Sequence, residues 1–148
     1  DVIISSDNLE HIESEGRALR EWKRILKTGG MLIVFVPAYR FLWSSHDLIN
    51  QHFRRYSRIE LKTVIADTGF LVTRSSYWLL IFFPLVLLDR LLLSRLYNRK
   101  DQLEDDNSYS HALHSMLFWI GRMENALIAH GINLPFGSSV FIVAKKTS

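Results

Sequence analysis

A chain of 148 residues with 48% hydrophobic and 22% charged side chains carries enough apolar surface for one sizeable core, which excludes disorder as its main state and leaves little room for two independent domains. It contains no cysteine, so disulfides and thiolate metal sites are excluded, and any metal must be held by histidine and carboxylate. The formal charge of +3 is too small to specify DNA as a partner. Its cations are clustered, with Arg54, Arg55 and Arg58 in one stretch and Arg90, Arg95, Arg99 and Lys100 in another, the second followed at once by Asp101, Glu104, Asp105 and Asp106.

Residues 1–6, DVIISS, have the composition of a buried strand, with no initiator methionine and no signal-peptide pattern before them. The chain is therefore expected to begin inside a fold. Ser6 or Asp7 can cap a helix running to Lys27, because Leu9, Ile12, Leu19, Trp22 and Leu26 recur at helical spacing. Lys27-Thr28-Gly29-Gly30 closes it, with a cation suited to the helix dipole and glycine suited to a left-handed cap. Met31 to Val36 is a continuous apolar run of the kind that forms a central strand covered on both faces. Pro37 ends it, and the aromatic-rich stretch from Ala38 to Tyr56 has no period and reads as a long ordered loop.

Ser57 and Glu60 have capping-box spacing and open a second helix carrying Leu61, Val64 and Ile65, closed by Gly69. A strand over Phe70 to Ser76 completes a β-α-β-α-β order. From Tyr77 to Leu88 every residue is apolar, aromatic or proline. That run is short of the roughly 20 residues needed to span a bilayer. With its basic flank, the segment 77–100 is expected either to dock on a membrane surface or to bury itself against the rest of the domain. Asn98 to Ser110 reads as a polar linker, His111 to His130 as a helix, and Ser139 to Ala144 as a last strand.

Three stretches carry chemistry: DNLEHIES after the first strand, LKTGGMLIVFVP through the second, and WSSHD followed by HFRRYSRIEL. In their order and spacing they resemble the carboxyl half of a class I S-adenosylmethionine-dependent methyltransferase of the type 11/12 group. The resemblance implies an α/β fold, a partial Rossmann-like methyltransferase sheet comprising strands four to seven with flanking helices. It also implies S-adenosylmethionine as methyl donor, and Ser5, Ser6, Asp7 and Leu9 as cofactor contacts. The glycine-rich loop and the acidic residue that grip the cofactor in that family lie before the matching region and have no counterpart among the seven glycines here. Residues 1–148 are thus expected to be the carboxyl-terminal part of a methyltransferase domain, to bind the cofactor poorly or not at all alone, and to expose apolar surface beside the first strand.

Methyl transfer from a sulfonium is an in-line displacement, so the protein aligns the reactants and, for an oxygen acceptor, removes a proton. His11, His46 and His52 are the candidate bases, since histidine titrates near neutral pH. His46 leads because the loop after the second strand should overhang the methyl group. A divalent metal is the sharper alternative: Asp7, Glu10 and His11 would share one helix face, with His46 or His52 completing an oxygen and nitrogen set. Ubiquinone-biosynthesis O-methyltransferases and small-RNA 3′-end methyltransferases resemble that arrangement. Tyr39, Trp43, Arg55 and Tyr56, with Phe41, Phe53 and Arg54 beside them, would wall a small or lipid-like acceptor. The expected setting is cytoplasmic with a peripheral membrane contact. The alternatives are a non-catalytic membrane-associated or subunit-interaction module and an RNA methyltransferase.

Overall fold

In the computed structural model, which describes residues 1–88 and 111–147, four strands form one mixed sheet. These are β1 (Val2–Ser6), β2 (Met31–Pro37), β3 (Phe70–Trp78) and β4 (Ser139–Lys146), in the spatial order β1-β2-β4-β3. β1 and β2 run parallel, from Val2 opposite Met31 to Ser6 opposite Phe35. The last strand inserts antiparallel between β2 and β3, pairing Val34 with Ile142 on one side and Tyr77 with Val140 on the other. A parallel pair needs a crossover, and α1 (Glu15–Ile25) supplies it between β1 and β2. α3 (Arg58–Asp67) connects β2 to β3 after the loop and a one-turn helix α2 (Ser45–Ile49).

The period of two along β2 places Leu32, Val34 and Val36 on one face, all fully buried. Leu19 and Leu26 of the α1 region, Leu61 and Ile65 of α3, and Val140, Ile142 and Ala144 of β4 close the same core. Full burial of each such side chain stabilises the fold by roughly 1.5–3 kcal/mol. The opposite face of β2 is only half covered. Phe35 there meets Trp78 and Phe141 at centroid separations of 5.3 and 5.7 Å. At the open edge of the sheet Val2 and Ile4 are 47% and 66% exposed, the apolar surface expected beside the first strand.

The expected strands, α3 and its capping box are present. Ser57 N donates to Glu60 Oε2 at 2.7 Å, and Glu60 N to Ser57 Oγ at 3.2 Å. The first helix differs from the expected span of 7–27. Only a 3-10 turn covers Leu9–His11 before α1 starts at Glu15. Asp7 lies in the left-handed region at φ 44°, and Ile12 is extended, at ψ 113°. One α-helical face therefore cannot carry Asp7, Glu10 and His11 together. The apolar stretch after Ser76 also begins otherwise than expected. Tyr77 and Trp78 finish β3, and only α4 (Phe83–Leu88) is helical, with Pro84 harmless in its first turn. The basic cluster Arg90 to Lys100, the acidic block and the linker expected over 98–110 lie outside the described residues. α5 (His111–Ala129) is anchored on β3 by Glu124, 4% exposed, which accepts from the backbone N–H groups of Leu79 and Leu80. Among the described residues, no helix is long and apolar enough to cross a membrane.

Candidate functional site

The carboxyl ends of β1 and β2 face the loop over residues 38–56, and the loop folds back onto the 3-10 turn. Ser44 opens α2, its Oγ accepting from His46 N at 3.2 Å while its N–H donates to Asp47 Oδ2 at 2.9 Å. Gln51 then turns the chain at φ 57°. His52 N donates to Asp47 O at 2.9 Å, and Phe53 N to Glu10 O at 2.8 Å. This reversal sets His52 beside His11, ring edge to ring face with centroids 4.6 Å apart. Arg55 Nη1 donates to Ala38 O at 3.2 Å and closes the loop on the end of β2.

Three side chains meet there. Glu10, His11 and His52 each offer a ligating or proton-accepting atom within 4.8 Å of the other two. Glu10 is fully buried, and neither carboxylate oxygen has a hydrogen-bond partner. Burial therefore pushes its pKa up from 4.5 to about 7, with its own nearby backbone N–H opposing the rise, the charge of Asp7 adding to it, and His52 and Arg55 opposing it.

Asp47 has the opposite balance. It too is fully buried, but its Oδ1 accepts from His52 Nδ1 at 2.8 Å and from Arg55 Nε at 2.7 Å. Burial alone would raise its pKa; the hydrogen bonds from Arg55, His52 and the Ser44 backbone outweigh it and hold the carboxyl at about 2.

The same loop, with α3 and Glu15 of α1, walls a cleft of about 670 Å³ lined by Arg40, Trp43, Phe53, Arg55 and Tyr56, and Glu10, His11 and His52 are not among its lining residues. Three of the four expected acceptor residues, Trp43, Arg55 and Tyr56, thus line one cavity. Tyr39 stands elsewhere, stacked on Phe41 and Tyr77 at 4.9 and 5.0 Å. Arg54 is turned to Glu15 at 3.0 Å and to the Glu13 carbonyl at 2.7 Å, and Arg55 to Asp47. Both arginines are therefore occupied by the protein itself. Burial, together with the hydrogen bond its hydroxyl donates to Glu15, raises the pKa of Tyr56.

Two of the three candidate bases, His11 and His52, come together. His46 is exposed on α2, its Nε2 2.8 Å from Asn50 Nδ2. Of the expected metal set the structure joins Glu10 and His11 with His52; Asp7 and His46 stand apart from that group. Asp7 is exposed at the end of β1, where Ser6 Oγ donates to its Oδ2 at 3.2 Å. Ser5 is buried with an unpartnered Oγ, and Leu9 points into the core. At the end of β1, Ser6 and Asp7 are exposed, whereas the Ser5 hydroxyl is buried and Leu9 can contribute only backbone. Asp47 received no role from the sequence. Its signal was the Ser44-x-x-Asp47 capping spacing inside WSSHD, followed at five and eight residues by His52 and Arg55.

Residues 1–34 match the family model described as a methyltransferase domain. No curated protein matches the chain. Among solved structures, Haemonchus contortus phosphoethanolamine N-methyltransferase 2 in complex with S-adenosyl-L-methionine superposes with a TM-score of 0.53 at 17% identity, over 99% of this chain and 33% of that one. The same enzyme with phosphomonomethylethanolamine and S-adenosylhomocysteine gives 0.54 at 18% identity, over 100% and 34%. The complex between the Haloferax volcanii Trm112 methyltransferase activator and a methyltransferase gives 0.55 at 14% identity, over 100% and 54%. This chain thus spans between a third and just over half of the length of the structures it superposes on. The resemblance to the class I S-adenosylmethionine-dependent methyltransferases holds, in fold along the chain and in sequence over residues 1–34.

Proposed function

We propose that this chain forms the acceptor side of an S-adenosylmethionine-dependent methyltransferase that methylates a small or lipid-like acceptor. The observation that carries the reading is the convergence of Glu10, His11 and His52 where the loop after β2 folds back onto the turn after β1, at the carboxyl ends of the parallel strands, where α/β proteins bind their ligands. S-adenosylmethionine, when bound, supplies a methyl group on a positively charged sulfur. Ser6 and Asp7 are the residues of this chain that would hold it, with the Ser5 and Leu9 backbone alongside. Trp43, Phe53 and Tyr56 would exclude water from the acceptor. His52, its side chain only 10% exposed, would take the acceptor proton, and Glu10, at about 7, could pass it on at neutral pH. Calorimetry of the full-length protein with S-adenosylmethionine tests the reading, and absence of binding overturns it.

A metal-assisted form of the same reaction is favoured by one observation, the buried and unpartnered Glu10 carboxylate. Glu10, His11 and His52 would hold a divalent cation that takes nitrogen and oxygen ligands. Zinc or manganese titration of the chelator-treated protein checks it, with loss of binding expected in Glu10→Ala. The exposed Ile81, Leu85 and Leu88 support a peripheral membrane contact, for which co-sedimentation with anionic liposomes is the measurement.

A further inference from the structure

Asp47 makes no contact that the capping of a single helical turn requires beyond its bond to Ser44, yet it is fully buried and ionised, with an arginine and a histidine on the same oxygen. Burying a carboxylate is costly unless it is paired, and here the pairing has a direction. An ionised carboxylate only accepts hydrogen bonds. The nitrogen of His52 that faces it at 2.8 Å is Nδ1, so Nδ1 must carry the proton and, in the neutral ring, Nε2 must carry the lone pair. Arg55, whose Nε lies 2.7 Å from the same Oδ1, keeps Asp47 charged and therefore keeps the assignment fixed.

We propose that Asp47 is the positioning residue of the site: it locks His52 in the Nδ1–H tautomer and leaves Nε2 as the one nitrogen that can take a proton or bind a cation. The role of His52 itself rests on the methyltransferase reading above; the tautomer does not. A carboxylate behind a histidine is the arrangement that orients an imidazole both for base catalysis and for metal ligation. Among the described histidines, His46 is bonded to the Asn50 side-chain amide and His130 Nδ1 to the Ala126 carbonyl, and of the described residues' ion pairs only that of His52 joins a histidine to a buried carboxylate.

The test is nitrogen-15 imidazole spectroscopy of the protein, recorded on the neutral form of the ring, with the His52 signals identified by their loss in His52→Gln. It needs neither cofactor nor acceptor. Hydrogen bonds to a charged group contribute roughly 1.5–3 kcal/mol, about tenfold or more in population. The wild-type His52 is therefore expected almost wholly as Nδ1–H, with Nε2 at the position of an unprotonated nitrogen. In Asp47→Asn that preference is expected to fall by about tenfold. A wild-type ring protonated on Nε2 overturns the proposal without any variant having to fold. So does an Asp47→Asn protein, folded by circular dichroism, whose tautomer is unchanged. Failure of the full-length protein to bind S-adenosylmethionine would remove the methyltransferase reading and leave the tautomer result standing.

Discussion

The backbone N–H of Phe53 donates to the carbonyl oxygen of Glu10 at 2.8 Å, joining two segments 43 positions apart in sequence numbering at the point where their functional side chains meet. Because the bond is main chain to main chain, it sets the depth of the loop whatever the side chains are. Each neighbour of the bonded pair then contributes one ring to the site: His11 follows Glu10, His52 precedes Phe53, and the rings touch edge to face. Substitutions of either histidine should therefore change chemistry without releasing the loop.

Burial of an unpartnered Glu10 has a signed consequence for stability. Its carboxyl holds a proton to about pH 7 in the folded protein and to about 4.5 when unfolded. The folded state binds more protons in that window, so its contribution to stability is complete below about 4.5 and is lost as pH rises through about 7. With metal removed by chelator, the unfolding free energy should fall by on the order of 3 kcal/mol between these limits. Glu10→Gln should flatten the profile, as urea denaturation at a series of pH values would show; an equal slope in the variant would contradict the assignment.

Gly137 is required by proximity. A Cβ there would overlap the Trp78 carbonyl oxygen and stand 2.8 Å from its carbonyl carbon and 2.9 Å from its nitrogen. All three are backbone atoms at the end of β3, where Trp78 is paired with Ser139, so they cannot yield without opening the β3–β4 ladder. Gly137→Ala should cost roughly 1–3 kcal/mol. A thermal melt should show Tm lower by roughly 3–10 °C.

The Ser57 and Glu60 pair offers a quieter test. Each satisfies the other's backbone N–H at the start of α3, and that helix carries Leu61 and Ile65 into the core. Ser57→Ala should destabilise by about 1 kcal/mol. The double variant with Glu60→Ala should lose less than the sum of the single losses, because the two bonds form one reciprocal cap. Denaturation midpoints of the four proteins would measure the coupling.

How far the sequence could be read follows from which physical signals are local. The capping box at Ser57 and the apolar run that becomes β2 are each written within a few residues, and the structure has them. Gly29 is left-handed at φ 81°, but in the turn that leads to β2, since α1 has already ended at Ile25 with Leu26 extended. The span 7–27 differs from the structure because apolar spacing does not register a local break in the backbone: Ile12, extended at ψ 113°, separates the 3-10 turn from α1 without disturbing the period of Leu9, Leu19 and Leu26. The loop was harder. With no period between Ala38 and Tyr56, position along the chain was the guide to which histidine faces the strands, and it favoured His46. What decides the matter is the reversal at Gln51 together with the Asp47 pairings, and those hydrogen bonds depend on tertiary approach.

The two loop histidines are accordingly separable by experiment. His52 is nearly buried, bonded to Asp47 and in contact with His11, whereas His46 is exposed on α2 against Asn50. A positioned general base contributes typically 10²- to 10⁴-fold to a proton-transfer step. In the full-length protein, with labelled S-adenosylmethionine and a lipid or small-molecule extract as acceptor source, His52→Gln should lower the rate of methyl incorporation by at least about 100-fold. Cofactor affinity measured by calorimetry should be unaltered, because His52 is not among the residues at the end of β1. His46→Ala should lose no more than about 10-fold, at least ten times less than His52→Gln. Equal losses in the two variants would return the base to α2 and assign the buried Asp47–His52 pair to loop architecture alone.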